Sequence, residues 1–153
     1  MIWVVKPSGL LLILLTYAIS LEKNSEHPLA EAIVKYCNEN NISSENVENF
    51  EAGFGKGVKA TSDNFTILGG NRAFMKENNI DISKIEPQIN SLADEGKTPL
   101  IFAKDSNVIG IIAVADVEKE TSRKAIEEFT KMGISTVMLT GDNERTAKAI
   151  QKR

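Results

Sequence analysis

The chain has 153 residues, 42% of them apolar and 25% charged, enough to bury a hydrophobic core in one or two compact domains. Acids and bases are intermixed and the formal net charge is -3, so no basic stripe recommends nucleic acid as a partner. A single cysteine, Cys37, excludes an internal disulfide and any Cys-x-x-Cys metal site, which fits a reducing compartment.

The opening stretch, "MIWVVKPSGLLLILLTYAIS", places Lys6 ahead of an apolar run, like the start of a signal peptide. Pro7 and Gly9 interrupt it, no small-residue cleavage site follows, and the run is shorter than the roughly 20 residues that span a bilayer. A buried or partly exposed helix beginning near Leu11 is therefore preferred to a targeting segment, and residues 11 to 23 are read as helical. A second helix is expected from Pro28 to about residue 38, with Leu29, Ile33 and Tyr36 on one face and Cys37 as a small buried side chain. From residue 47 to 68 the pattern changes to "VENFEA", "GVKAT" and "FTILG", separated by glycines and "SDN", which predicts an antiparallel meander with tight turns. Two short helices follow at 71 to 79 and 83 to 95. "TPLIFAKD" and "NVIGIIAVAD" then read as a hairpin turning at Asp105, Ser106 and Asn107. After Asp116 a helix (121 to 132), a strand "STVMLT" and a helix from Asn143 have the order of a parallel α/β unit. The expectation is an α+β domain to about residue 115 and the start of an α/β domain after it.

Two phosphate-binding signatures are approached and missed. "GKT" at 96–98 lacks the glycine that a P-loop requires five positions earlier, where Ser91 stands. "GFGKG" at 53–57 has Val58 where the dinucleotide fingerprint needs a third glycine, and a strand-like "VKAT" follows instead of a helix. That stretch is either a bulged hairpin or a turn whose missing Cβ atoms let a phosphate chain or base approach the backbone. His27, the sole histidine, precedes Pro28, which pushes it out of the αR region and makes it the N-cap of the second helix. The helix dipole disfavours an imidazolium there and Glu26 favours it, so the sequence leaves its charge state open. A neutral ring would offer one donor and one acceptor, as a purine edge requires.

"SLEKNSEHPLAEAIV", "GFGKGV", "LGGNRAFM" and "TGDNERTA", in that order, closely resemble the nucleotide-binding domain and adjoining phosphorylation-domain segment of heavy-metal P-type ATPases, most like the copper-transporting members. The resemblance covers about residues 14 to 153. It implies an α+β fold, an antiparallel sheet flanked by two helical hairpins, followed by an incomplete α/β segment of haloacid-dehalogenase type. The implied division is an atypical segment (1–13), a nucleotide-binding domain (14–115) and a partial phosphorylation domain (116–153). Matching residue by residue, it implies that Glu22, His27, Gly53, Gly55, Gly70 and Asn71 bind ATP. Glu22 and His27 fall near the adenine, the glycines line the nucleotide with bare backbone, and Gly57 extends the same loop. It also assigns Asp116 and Lys119 to a hinge. Thr140, Gly141 and Asp142, with Asn143, would support a phosphoryl group and its Mg²⁺.

The family's phosphate acceptor lies in an Asp-Lys-Thr-Gly-Thr string, and no such string occurs here; nor does the Gly-Asp-Gly-x-Asn-Asp motif, a Cys-Pro-Cys site or a membrane helix. The chain is therefore expected to bind ATP in the cytoplasm, without a catalytic residue or resident metal of its own. It is not expected to form an aspartyl phosphate or pump ions by itself. Its implied partners are ATP and the actuator, phosphorylation and membrane domains of a complete pump. The alternative is a free-standing, non-transport nucleotide binder or a degenerate remnant. A haloacid-dehalogenase-type phosphatase is a third class, weakened by the lack of an Asp-x-Asp nucleophile strand.

Overall fold

A computed structural model of the chain describes residues 1–5, 10–115, 120–135 and 137. Its centre is a six-stranded sheet in the order β1-β6-β5-β4-β3-β2, antiparallel at every junction. The strands are β1 (Ile2–Val5), β2 (Glu48–Gly53), β3 (Gly57–Ser62), β4 (Phe65–Gly70), β5 (Thr98–Lys104) and β6 (Asn107–Val114). The helices are α1 (Leu11–Glu22), α2 (Pro28–Glu39), α3 (Arg72–Glu77), α4 (Glu86–Asp94) and α5 (Glu120–Lys131). A 3₁₀ turn, Ser83–Ile85, leads into α4.

The sheet divides the core by simple alternation. In β4, β5 and β6 the neighbours Ile67 and Leu68, Ile101 and Phe102, and Ile111 and Ile112 point to opposite faces, as a period of two requires. One face, with Ile67, Phe102 and Ile112, meets Leu14, Ala18 and Leu21 of α1 and Ile33 and Cys37 of α2. The other, with Leu68, Ile101 and Ile111, meets Phe74 and Met75 of α3 and Ile89 and Leu92 of α4. This is the expected α+β arrangement, with a helical pair on each side.

The α1–α2 pair forms where its composition places it. Most of α1 is apolar and its second half is buried, including Ser20, whose hydroxyl donates to Thr16 O (2.6 Å) and accepts from Glu45 N–H (2.7 Å). The buried stripe of α2 is Ala30, Ile33 and Cys37, with Leu29 and Tyr36 packed at its flanks. Among the described residues, no helix is long and apolar enough to cross a membrane.

One strand has no counterpart in the sequence reading. Ile2–Val5 pairs with β6, Ile2 opposite Val114 and Val5 opposite Ile111, and so covers that edge of the sheet. Its β-branched and aromatic residues suit a strand, although the adjacent Lys6, Pro7 and leucine run draw attention to targeting signals instead. The opposite edge, β2, is guarded by exposed Glu48 and Glu51 and by a register irregularity between them, features that discourage pairing with another sheet. The expected strand over 135–140 and helix from Asn143 lie outside the described residues, apart from Ser135 and Val137.

Candidate functional site

A cleft of about 1360 Å³ opens between the start of α2 and the β2–β3 turn. Glu22, Ser25, His27 and Leu29 line one side of it; Gly53, Gly55, Gly57, Gly70, Asn71 and Arg72 also line it. The residues expected to serve ATP, separated by almost fifty positions in the chain, therefore share one cavity. Leu29, Phe50, Val58 and Leu100 give this cavity an apolar lining of a kind that suits a flat heterocycle.

His27 has the extended backbone of an N-cap (φ -74°, ψ 138°) and Pro28 follows as the first helical residue. Its Nδ1 accepts the Leu29 N–H at 3.2 Å. An accepting Nδ1 carries no proton, so the ring's N–H is at Nε2, and the exposed imidazole retains a donor for the cleft. The cap reading of the sequence and a ligand-facing ring are compatible, because they use different nitrogens.

Glu22 ends α1 and is only 6% exposed. Burial pushes its carboxyl up from 4.5 to about 7, partly opposed by a hydrogen bond with Ser25. No described cation forms an ion pair with it. Lys23, next in sequence, donates instead to Ser44 Oγ and Glu45 O, both at 3.1 Å.

The glycine turn is tied down at both ends. Gly53 and Gly57 are paired across β2 and β3, and residues 54–56 form the loop between them. Lys56 N–H donates to Gly53 O (3.0 Å), and Gly55 adopts φ +67° with open space where a Cβ would be. Gly57 is needed for another reason: a Cβ there would lie 2.5 Å from Gly69 O and 2.6 Å from the Phe74 ring. Asn71 joins this turn to α3. Its N–H donates to Lys56 O (2.8 Å), its Nδ2 to Gly55 O (3.2 Å), and its Oδ1 accepts from Phe74 N–H (3.0 Å) as the N-cap of α3. The two glycine-bearing segments are thus one hydrogen-bonded unit, and "GFGKG" forms a hairpin turn between β2 and β3.

Sequence reasoning did not single out Lys56 or Arg72, the two cations of the lining. Lys56 Nζ lies 2.6 Å from Glu77 Oε1 on α3, and Arg72 donates to Asn90 Oδ1 on α4. Their signal was position alone, a basic residue inside the glycine turn and another following Asn71. The "GKT" lysine has a different use: Lys97 pairs with Glu95 and sits 4.1 Å above the Trp3 ring, joining the α4–β5 connection to β1. Asp116, Lys119, Thr140, Gly141, Asp142 and Asn143 lie outside the described residues. Among the described residues, no group of three or more His, Cys, Asp or Glu could hold a metal ion.

A family model described as haloacid dehalogenase-like hydrolase matches residues 5–153, and the chain belongs to that family. Within it, a copper-exporting P-type ATPase of Staphylococcus haemolyticus is 44% identical over 138 residues, which are 90% of this chain and 17% of the relative. The copper-exporting P-type ATPase of Staphylococcus aureus (strain N315) is 44% identical over 133 residues, 86% of this chain and again 17% of the relative. The chain thus spans about a sixth of the length of these curated relatives. Among solved structures, a zinc-transporting PIB-type ATPase in its E2.Pi state superposes with a TM-score of 0.76 at 29% identity, covering 98% of this chain and 24% of that one. The N-domain of HMA8, a copper-transporting P-type ATPase, matches at a TM-score of 0.64 over 74% of this chain and 97% of its own, with 23% identity, and shows the shared fold.

Proposed function

We propose that this chain is the ATP-binding portion of a copper- or heavy-metal-translocating P-type ATPase, presenting ATP to a phosphorylatable aspartate outside this sequence. The observation that carries this reading is the convergence of Glu22, His27, Gly53, Gly55, Gly70 and Asn71 on one cleft, in a chain whose relatives are copper exporters. The base would lie against the apolar lining near Glu22 and His27, where the imidazole Nε2–H and the carboxyl address its polar edge. The phosphates would run along the glycine turn, where a missing Cβ leaves backbone accessible, toward Lys56 and Arg72.

Mg²⁺, which nucleoside triphosphates carry on their phosphates, would enter the site with ATP. This chain's contribution is to bind and orient the nucleotide and to exclude water from the base. Thr140, Gly141 and Asp142 would support the phosphoryl site once the acceptor aspartate is supplied by the remainder of the pump.

The test is calorimetric titration of wild type and His27→Ala with ATP and GTP. Loss of the Nε2–H contact is expected to weaken ATP binding by about three- to tenfold. Unchanged ATP affinity and base preference in the variant would remove His27 from the site and overturn the assignment.

A further inference from the structure

The glycine turn carries a cation whose partner lies outside the cleft. Lys56 borders the cavity, whereas Glu77, the carboxylate that it meets at 2.6 Å, is the last residue of α3 and takes no part in the lining. Both side chains are about half exposed, so neither is locked by packing, and an ion pair in that setting is weakly held. The backbone of Lys56 is fixed independently of this pair: its N–H donates to Gly53 O and its carbonyl accepts from Asn71 N–H. The peptide therefore stays in place while the flexible four-carbon stem is free to carry the ammonium from one anion to another. The other cation of the lining is placed differently, since Arg72 is half-buried and its guanidinium is held by Asn90 of α4.

We infer that Lys56 and Glu77 form a charge-exchange latch, in which Lys56 leaves Glu77 for the phosphates of the bound nucleotide and Glu77 sets the affinity by competing for it. The inference rests on the proposal that the cleft binds ATP. A polyphosphate offers the ammonium several acceptor oxygens and more negative charge than one carboxylate, so the exchange runs toward the ligand. A lone phosphate has a smaller advantage over Glu77, so the latch favours nucleotides that carry more than one. Glu77 is a positioning residue, acting on the ligand through Lys56. The exchange also releases the Lys56 tie between the turn and α3 and leaves that of Asn71 Nδ2 to Gly55 O.

The experiment measures dissociation constants for ATP and AMP, without divalent cations, by amide NMR titration of the 153-residue chain as wild type, Lys56→Gln, Glu77→Gln and the double variant. K56Q is expected to weaken ATP binding about tenfold and AMP binding about threefold or less. E77Q removes the competitor and should tighten ATP binding about two- to fivefold, the range of an exposed ion pair. In the K56Q background the Glu77→Gln change should leave ATP affinity unaltered, because there is no lysine to release. Unchanged ATP affinity in either single variant overturns the inference. So does a tightening by E77Q that persists in full without Lys56, the mark of plain repulsion between Glu77 and the phosphates. Weakening of ATP and AMP alike in both single variants overturns it too, since a strut that merely holds the turn would give that result. Absence of ATP-induced shifts at the Gly53, Gly55 and Gly70 amides of wild type overturns the cleft and the inference together; their presence with a flat response in the variants overturns the latch alone.

Discussion

Among the described residues, Glu22 and Cys37 are the two ionisable side chains most affected by exclusion from water, and each has a measurable consequence. Below about pH 4.5 Glu22 keeps its proton in both folded and unfolded chains. Between 4.5 and about 7 the unfolded chain has released it and the folded chain has not, so stability falls as pH rises. Above that window the buried anion is carried in full, at a cost of up to about 3 kcal/mol. E22Q should therefore gain in stability relative to wild type between pH 5 and pH 8, read from urea midpoints; a constant difference would mean that Glu22 does not titrate with folding. Cys37 is fully buried, its thiol is pushed up to about 11, and its Sγ faces Leu15 O at 3.8 Å. A thiol reagent at pH 8 should react with it only on unfolding, and fast labelling of the native chain would contradict its placement. The two glycines differ in kind. Gly57→Ala drives a Cβ into backbone and should cost about 3 kcal/mol, whereas Gly55→Ala meets open space and only its positive φ, about 1 kcal/mol. Chemical denaturation of both variants checks the order.

At the scale of elements, the order of helices and strands was readable because the patterns were strong. The proline after His27 marked the start of α2, and the apolar runs on either side of Asp105 marked the β5–β6 hairpin. The buried stripe of α2 runs through Ala30, Ile33 and Cys37 with Leu29 and Tyr36 at its flanks, so the expected face holds and only Ala30, a small residue that carries little weight in a hydrophobic pattern, was not singled out. In the cleft, residue types were legible but their ties were not. Nothing local to "LGGN" announces that the Asn71 amide reaches Gly55, because that bond depends on β3 and β4 being neighbours. The double role can be separated. Asn71→Ala loses both the α3 cap and the turn contact and should cost about 1–2 kcal/mol. Asn71→Asp keeps an acceptor for Phe74 N–H and loses the donor to Gly55 O, so it should cost less in stability while still weakening ATP binding. Equal stability losses would show that the cap contributes nothing.

For the molecule as a whole, the two edges of the sheet are managed differently, one by charge on β2 and the other by the added strand β1. Deletion of residues 1–5 should bare β6 and release Trp3 from Lys97, giving a lower melting temperature and concentration-dependent association by light scattering. A monomer of unchanged stability would assign β1 no such role. The pairing of β1 with β6 also places Met1 against Ala115, with Met1 N donating to Ala115 O at 3.0 Å and Ala115 N to Met1 O at 3.1 Å. The path of the chain through the sheet is therefore almost a closed circuit. Such a body can be spliced into a surface loop of an unrelated host through two short joints, or rewired with residue 115 joined to residue 1 and new ends cut at the exposed Asp63 turn, without its cleft being redrawn.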